Sequence, residues 1–197
     1  MLLRRGLGLS PHVGACLLGF LPWIVYAVIA TSDNWRYGAV AGLVIALAVI
    51  VADRRAGKDW DQMVIESSAA VFFTVITLIS FVSPDSPLMP YGPALVNVWL
   101  GITSWGSLAI RKPFTPGIAR SMTPPEVWRT PRFYRVNAII TSVWGVSFVV
   151  AAVSLAALLY VAPHATAVVL VIKIATFVAP AVFTARYPKI VAARSAA

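Results

Sequence analysis

The chain has 197 residues, of which 59% are hydrophobic and only 12% are charged, and its formal net charge is +9. A soluble domain carries about twice that share of charged residues, so a water-soluble fold is excluded and a membrane protein is predicted. Nucleic-acid binding is not indicated, because it needs a continuous basic face and these cations are spread over separate short segments. We therefore expect an all-α fold, a polytopic membrane protein built as a bundle of six transmembrane helices.

Six apolar segments, separated by short polar stretches, follow one another along the chain. Their approximate limits are residues 12–31, 37–52, 62–82, 93–110, 136–162 and 165–185. Each is predicted to be a helix, because an isolated strand would leave backbone groups without hydrogen bonds in lipid. The first segment is longer than the core of a secretory signal and is expected to be retained. Together the segments predict a single integral membrane domain over residues 1–197, with a cytoplasmic loop at 111–135.

The positions of lysine and arginine predict the orientation of these segments. The predicted topology leaves Arg36 alone on one side and Lys173 inside a span. The remaining fourteen fall on the other side: Arg4, Arg5, Arg54, Arg55, Lys58, Arg111, Lys112, Arg120, Arg129, Arg132, Arg135, Arg186, Lys189 and Arg194. Cytoplasmic loops of membrane proteins are enriched in Lys and Arg. A multi-pass protein of the cell inner (plasma) membrane with both termini cytoplasmic is therefore predicted.

Helix-capping signals occur within the loop at 111–135. Thr123 and Glu126 have the spacing of a capping box, which favours a short helix over residues 124–129. Thr130 precedes Pro131, and proline is favoured at the first position of a helix. The fifth membrane helix is therefore expected to begin near Pro131, ahead of its apolar part.

Aromatic residues alternate with arginines in the same loop. Rings sit well at the boundary of a bilayer, and guanidinium groups interact with lipid phosphates. Two interpretations stay open, an ordinary interfacial loop or a docking surface for a partner protein or an anionic lipid. The candidate contact residues are Arg120, Trp128, Arg129 and Arg132.

Polar side chains within the apolar segments form a second set of candidates. Lys173 lies in the last segment and Glu66 is the only acidic residue inside a span. Ionisable groups in membranes frequently have functions, but lysine can also extend its ammonium group to the headgroups. Lys173 could have Asn97 as a polar neighbour at similar depth, whereas Glu66 could pair with Arg135 or Lys112.

Small residues in the second segment predict close helix packing. Gly38 and Gly42 form a GxxxG pattern, which permits two helix backbones to approach closely in lipid. The partner helix could belong to the same chain or to a second copy in a homodimer. The sequence alone does not decide between these two arrangements.

The residues expected of catalytic or metal sites are scarce. The chain has one cysteine and two histidines, so no disulfide framework or metal-binding cluster is expected. Asp53, Asp59 and Asp61 lie beside basic residues, which favours a solvated loop of mixed charge. We expect no cofactor, no metal and no catalytic residue, and hence no enzyme.

Three sequence segments carry a resemblance to a known family. "GFLPWIVYAV" in the first span, "RKPF" after the fourth and "MTPPEVW" before the fifth resemble the intracellular septation protein A (YciB-type) inner-membrane family. Related uncharacterised six-span families share the layout. The N-terminus is longer than in that family, and "TPRFYR" departs from its pattern.

The resemblance implies a non-enzymatic inner-membrane protein that supports cell-envelope synthesis or septation through protein and lipid contacts. Its expected partners are membrane lipids and envelope-synthesis or division proteins, and a homodimer is an open option. It supplies no catalytic residue. The alternative function is a small membrane transporter or channel that uses Lys173 and Glu66.

Overall fold

The computed structural model describes residues 11–30, 34–120, 123–162 and 164–193, and these residues are all-helical, without a strand. This confirms the predicted all-α class. Three single 3-10 turns, at Trp60–Gln62, Met89–Tyr91 and Pro125–Val127, lie between the α-helices. The seven described α-helices are α1 (Pro11–Ile29), α2 (Trp35–Arg55), α3 (Val64–Val82), α4 (Gly92–Ala109), α5 (Thr115–Ala119), α6 (Pro131–Val161) and α7 (Thr166–Ala193).

Four of these helices, α2, α3, α6 and α7, are long and apolar enough to cross a membrane. The apolar part of α1, Leu18–Ile29, is shorter. Helix α4 carries several polar residues, among them Asn97, Ser104 and Ser107, and does not belong to this group. Each of the six predicted apolar segments nevertheless corresponds to one long helix. A membrane protein is therefore plausible, and the six-span arrangement stays a prediction.

The described helices form two compact units. Unit 1 comprises Met1–Met89 and Pro116–Pro125, and unit 2 comprises Pro90–Thr115 and Glu126–Ala197. In unit 1, α2 packs against both α1 and α3. In unit 2, α6 packs against both α4 and α7. In each unit one helix, α2 or α6, thus contacts two others, and in unit 1 the helices α1 and α3 also contact each other.

The core of unit 1 is a cluster of aromatic rings from α1 and α3. The ring centroid of Phe73 lies 5.0 Å from that of Trp23, 5.4 Å from that of Tyr26 and 5.1 Å from that of Phe72. All four side chains are buried. Tilted and edge-on contacts at these distances stabilise such a core beyond the burial of its apolar area.

Two glycines of α2 make close contacts in unit 1, Gly42 with the aromatic cluster and Gly38 with Ala30. A Cβ atom added at Gly42 would lie 2.7 Å from the Phe73 ring, and one added at Gly38 would lie 2.8 Å from Cβ of Ala30. Both glycines are buried. The GxxxG stripe therefore packs inside unit 1, since any side chain larger than hydrogen would displace these neighbours.

Unit 2 is held together by an apolar cluster and by one aromatic contact between α6 and α7. Ala94, Ala151 and Leu155 form the buried cluster. Trp144 on α6 packs its ring 5.2 Å from that of Phe177, and its indole N–H donates to the Thr184 hydroxyl at 3.0 Å. A buried indole N–H usually needs such an acceptor.

Helices α6 and α7 extend beyond their apolar segments. Helix α6 begins at Pro131, where Thr130 Oγ1 accepts the backbone N–H of Phe133 at 3.2 Å, so the predicted helix start is confirmed. Helix α7 continues to Ala193, eight residues past the predicted limit. The apolar sequence of α7 ends where charged residues begin, whereas the helical backbone continues through these residues. The guanidinium of Arg132 donates to the Val191 carbonyl at 2.7 Å and so joins the two extensions.

Two helix ends require a left-handed backbone conformation. Gly57 follows α2 with φ of 80°, and Arg111 follows α4 with φ of 56°. In both cases the next N–H donates back to a carbonyl of the helix, Lys58 to Asp53 at 3.0 Å and Lys112 to Ser107 at 2.8 Å. This is the Schellman arrangement, which glycine favours. Arginine in this conformation costs about 1–2 kcal/mol relative to glycine.

The close contact at Gly42 predicts a loss of stability on Gly42→Ala of about 1–3 kcal/mol, because the added methyl group overpacks against Phe73. Gly106→Ala is the matched control. Apart from the chain neighbours and the backbone of its own helix, no atom of a described residue lies within 4 Å of a Cβ added at Gly106, so this change should be neutral or stabilise the helix by up to about 1 kcal/mol. The measurement is unfolding of the purified protein in detergent and SDS mixtures, followed by tryptophan fluorescence. Equal effects of both substitutions would contradict this packing.

Candidate functional site

The segment before α6 and the first turns of α6 form an open groove of about 560 Å³. It is lined by residues 128–131 and by Tyr134, Arg135, Ala138, Ile139 and Ser142. We call this the α6 groove. Its helical residues recur every three or four positions and therefore lie on one face of α6. All of the groove belongs to unit 2.

The α6 groove has a charged end and an apolar remainder. Arg129 and Arg135 are exposed, and neither guanidinium has a hydrogen bond or ion pair with another residue in the described ranges. The half-buried Trp128 and the exposed Tyr134 contribute aromatic surface beside the arginines. Ala138 and Ile139 continue the lining along the helix.

Of the four predicted contact residues, Trp128 and Arg129 line this groove, whereas Arg120 and Arg132 lie elsewhere. Arg120 forms an ion pair with Asp61 in unit 1, with its guanidinium nitrogen 3.2 Å from the carboxylate oxygen. Arg132 bonds to the Val191 carbonyl. Arg120 belongs to unit 1, whereas Trp128, Arg129 and Arg132 belong to unit 2.

Arg135 belongs to the groove but was not among the predicted contact residues. The sequence did carry a signal for it. Once α6 is taken to begin at Pro131, Pro131, Arg135, Ala138 and Ser142 recur at helical spacing on one face. Alternation of arginines and aromatic residues in the sequence does not reveal this face, because neighbouring residues in a helix point in different directions.

Helix α5 makes a close backbone contact within unit 1. A Cβ atom added at Gly117 in α5 would overlap the Gln62 carbonyl oxygen in the turn after α2. The Arg120–Asp61 ion pair lies next to this contact. Thr115, the first residue of α5, is buried in unit 2, where its hydroxyl donates to the Asn137 carbonyl at 3.0 Å. Sequence reasoning missed Gly117, since nothing local marks it as a contact with residue 62.

Glu66 is the third residue of α3 and is only 4% exposed. A negative charge in the first turn of a helix is stabilised by the helix dipole. Its Oε1 atom lies 3.0 Å from the position that a Cβ at Gly19 would take. Its Oε2 atom is buried without a hydrogen-bond partner among the described residues. Neither of the two ion pairs in that part of the chain, Lys58–Asp53 and Arg120–Asp61, includes Glu66.

Lys173 and Asn97 both belong to unit 2, but the structure records no hydrogen bond between them within its described ranges. The Asn97 amide donates to the Pro93 carbonyl of its own helix at 2.8 Å. Lys173 is half-buried on α7, next to Ile172, which packs on the Ala94–Leu155 cluster. Glu66, the third of these polar residues, belongs to unit 1.

The acidic residues after α2 take part in a loop of mixed charge. Asp53 pairs with Lys58 at 2.7 Å, and Asp61 pairs with Arg120. The Arg54 guanidinium donates to the Lys58 carbonyl and lies 5.2 Å from the centre of the Trp60 ring. Within the described ranges, no three His, Cys, Asp or Glu side chains come together as a potential metal site.

Comparisons with known proteins identify no relative, since no family model, curated protein or solved structure matches the chain. The groove and the buried polar groups must therefore be interpreted from their own chemistry.

The contact at Gly117 predicts that Gly117→Ala displaces α5 from Gln62, because the methyl group has no space. Tryptic cleavage after Arg120 should accelerate by about fivefold, as expected if local opening becomes about 1 kcal/mol easier. Limited proteolysis of the purified protein, followed by mass spectrometry of the fragments, measures this rate. Gly106→Ala serves as the control and should cleave as the unmodified protein does. An unchanged rate in Gly117→Ala would show that the segment is not fixed by this contact.

Proposed function

We propose that the protein is a six-span inner-membrane protein with both termini cytoplasmic. The four long apolar helices support this topology, with α1 and α4 as the two remaining spans. Fourteen of the sixteen Lys and Arg residues then face the cytoplasm, in agreement with the positive-inside rule. Arg4, Arg5 and Arg194 are part of that count and lie outside the described residues. At about 1.5 Å per residue, α6 and α7 exceed the ~30 Å hydrocarbon core and would project into the cytoplasm.

In this topology, the surface before and at the start of α6 is the main recognition surface of the protein. We propose a non-enzymatic function, in which this surface contacts membrane lipids and proteins of envelope synthesis or division. The observation that carries the proposal is the combination of exposed arginines and aromatic side chains at the α6 groove. The part of this proposal that concerns septation rests on the resemblance of three sequence segments to the intracellular septation protein A family.

Transport is a second candidate function, and one observation favours it. Glu66 has a buried carboxylate oxygen without a described partner, and an intramembrane carboxyl group can carry a proton or bind a cation. The position of Glu66 in the first turn of α3 supports a structural role instead. Lys173 would snorkel to the outer headgroups in the proposed topology, because it lies about 10 Å from the start of α7.

Photo-crosslinking in living cells tests the recognition surface. A photoreactive amino acid is placed at Glu126, which is exposed beside the groove but does not line it, and in a second variant at Arg132. Both positions are expected to capture the same envelope-synthesis or division protein. The matched control is Asp85, which is exposed in the connection between α3 and α4. The proposed topology puts Asp85 on the opposite side of the membrane. Capture of no protein other than this chain, or equal capture from Asp85, would contradict the proposal.

Flux measurements separate the two candidate functions. Liposomes that contain the purified protein should show no more proton or cation flux than protein-free liposomes, because the proposal gives Glu66 and Lys173 no role in transport. Glu66→Gln and Lys173→Met should also leave complementation of a deletion strain intact. A flux that Glu66→Gln abolishes while the variant accumulates normally would instead favour transport.

A further inference from the structure

The α6 groove has two arginines at one end, Arg129 and Arg135, and an apolar surface along the rest of its length. Arg120, Arg132 and Arg54 are each engaged by other groups of the protein, at Asp61, Val191 and Lys58 respectively. Arg129 and Arg135 have no such partner in the described ranges, and both border the same groove. An anion that meets both guanidinium groups would therefore not have to displace an existing contact.

The rest of the groove is suited to a hydrocarbon chain. From Arg135 to Ser142 the groove follows α6 for about 10 Å, at 1.5 Å per residue. Ala138 and Ile139 present carbon atoms along this length, whereas the charged groups are confined to one end. In the proposed topology, that end lies at the level of the cytoplasmic headgroups and the apolar part descends into the bilayer. Trp128 and Tyr134 then stand at the boundary, where such rings are favoured.

We propose that the α6 groove binds one anionic glycerophospholipid, with its phosphate between Arg129 and Arg135 and an acyl chain along Ala138 and Ile139. This inference rests on the proposed topology, because only that orientation brings the arginines to the cytoplasmic headgroup layer. Charge complementarity selects the class of lipid. A zwitterionic headgroup carries its own cation and gains less from two arginines, whereas an anionic headgroup gains from both. A free phosphate ion would leave the apolar part of the groove unused.

A second groove supplies an internal comparison. It has a volume of about 610 Å³ and is lined mainly by apolar residues of α2, with Arg36 as its single cation. The Arg36 guanidinium lies 5.3 Å from the centre of the Phe81 ring and is thus already engaged in a cation–π contact. The two grooves are similar in size, but the single arginine of the second groove already contacts an aromatic ring, whereas both arginines of the α6 groove have no partner in the described ranges. Arg36 is therefore a matched control for the arginines of the α6 groove.

Native mass spectrometry of the full-length protein tests the proposal. The protein is purified in detergent and exposed to equal amounts of phosphatidylglycerol and phosphatidylcholine with identical acyl chains. The unmodified protein should retain one phosphatidylglycerol in preference to phosphatidylcholine. Retention should fall by about fivefold in Arg129→Gln or in Arg135→Gln, and by about 25-fold in the double variant. Arg36→Gln should retain the lipid as the unmodified protein does.

The apolar half of the site needs its own variant. Ala138→Phe fills the groove while leaving both arginines in place, so it should lower retention of phosphatidylglycerol without changing the net charge. The proposal is overturned if the double arginine variant keeps its preference for phosphatidylglycerol, or if Ala138→Phe has no effect. Complete displacement of the lipid by millimolar inorganic phosphate would also overturn it, since the site would then be a phosphate site.

The lipid proposal and the proposed topology fail in different ways. A reporter fused after Glu126 determines on which side of the membrane the groove lies, whereas lipid retention is measured on the purified protein. A reporter on the outer side would overturn the topology and the lipid proposal that rests on it. Loss of lipid preference together with a cytoplasmic reporter would overturn only the lipid proposal.

Discussion

Close contact between helix backbones and side chains is the constraint on which unit 1 depends. In a bilayer, apolar side chains gain little free energy by moving from lipid into a helix interface, because the lipid tails are equally apolar. Helices therefore associate through van der Waals packing and hydrogen bonds. Gly42 satisfies this requirement, because only a hydrogen atom fits between α2 and the Phe73 ring. Phe73 in turn contacts Trp23 and Tyr26, so α1, α2 and α3 meet around one side chain. Unit 2 meets the same requirement with an indole hydrogen bond and a buried apolar cluster.

The helices could be predicted from the sequence because apolar runs and capping residues are local signals. Thr130 and Pro131 mark the start of α6 correctly. Helix α7 continues eight residues past the predicted apolar segment, because the loss of hydropathy after Phe183 reflects the surroundings of the helix and not its backbone. The predicted short helix at 124–129 is only a 3-10 turn over Pro125–Val127. Pro125, at the second position of the predicted helix, and Pro131, just after its end, leave little length for a regular helix.

The candidate site was harder to predict, because it depends on which arginines the fold has already engaged. Arg120, Arg129 and Arg132 look alike in the sequence, since all three lie in one basic segment. The fold gives Arg120 a carboxylate and Arg132 a helix-terminal carbonyl, and it leaves Arg129 beside Arg135. These assignments come from contacts 59 residues apart, which composition and spacing do not encode. The same holds for Gly117, whose neighbour Gln62 is distant in the chain.

Unit 1 is discontinuous in sequence, since it consists of the first 89 residues and of Pro116–Pro125. A ribosome synthesises α1, α2 and α3 first, but it must also synthesise α4 before the last piece of unit 1 exists. The backbone of Gln62 therefore has no Gly117 to cover it during that interval. A nascent chain that ends after Met89 would contain the three long helices of unit 1 and still lack the segment that completes it. Biogenesis of this protein thus includes a stage in which α1, α2 and α3 have all been synthesised while the unit that they form is still incomplete.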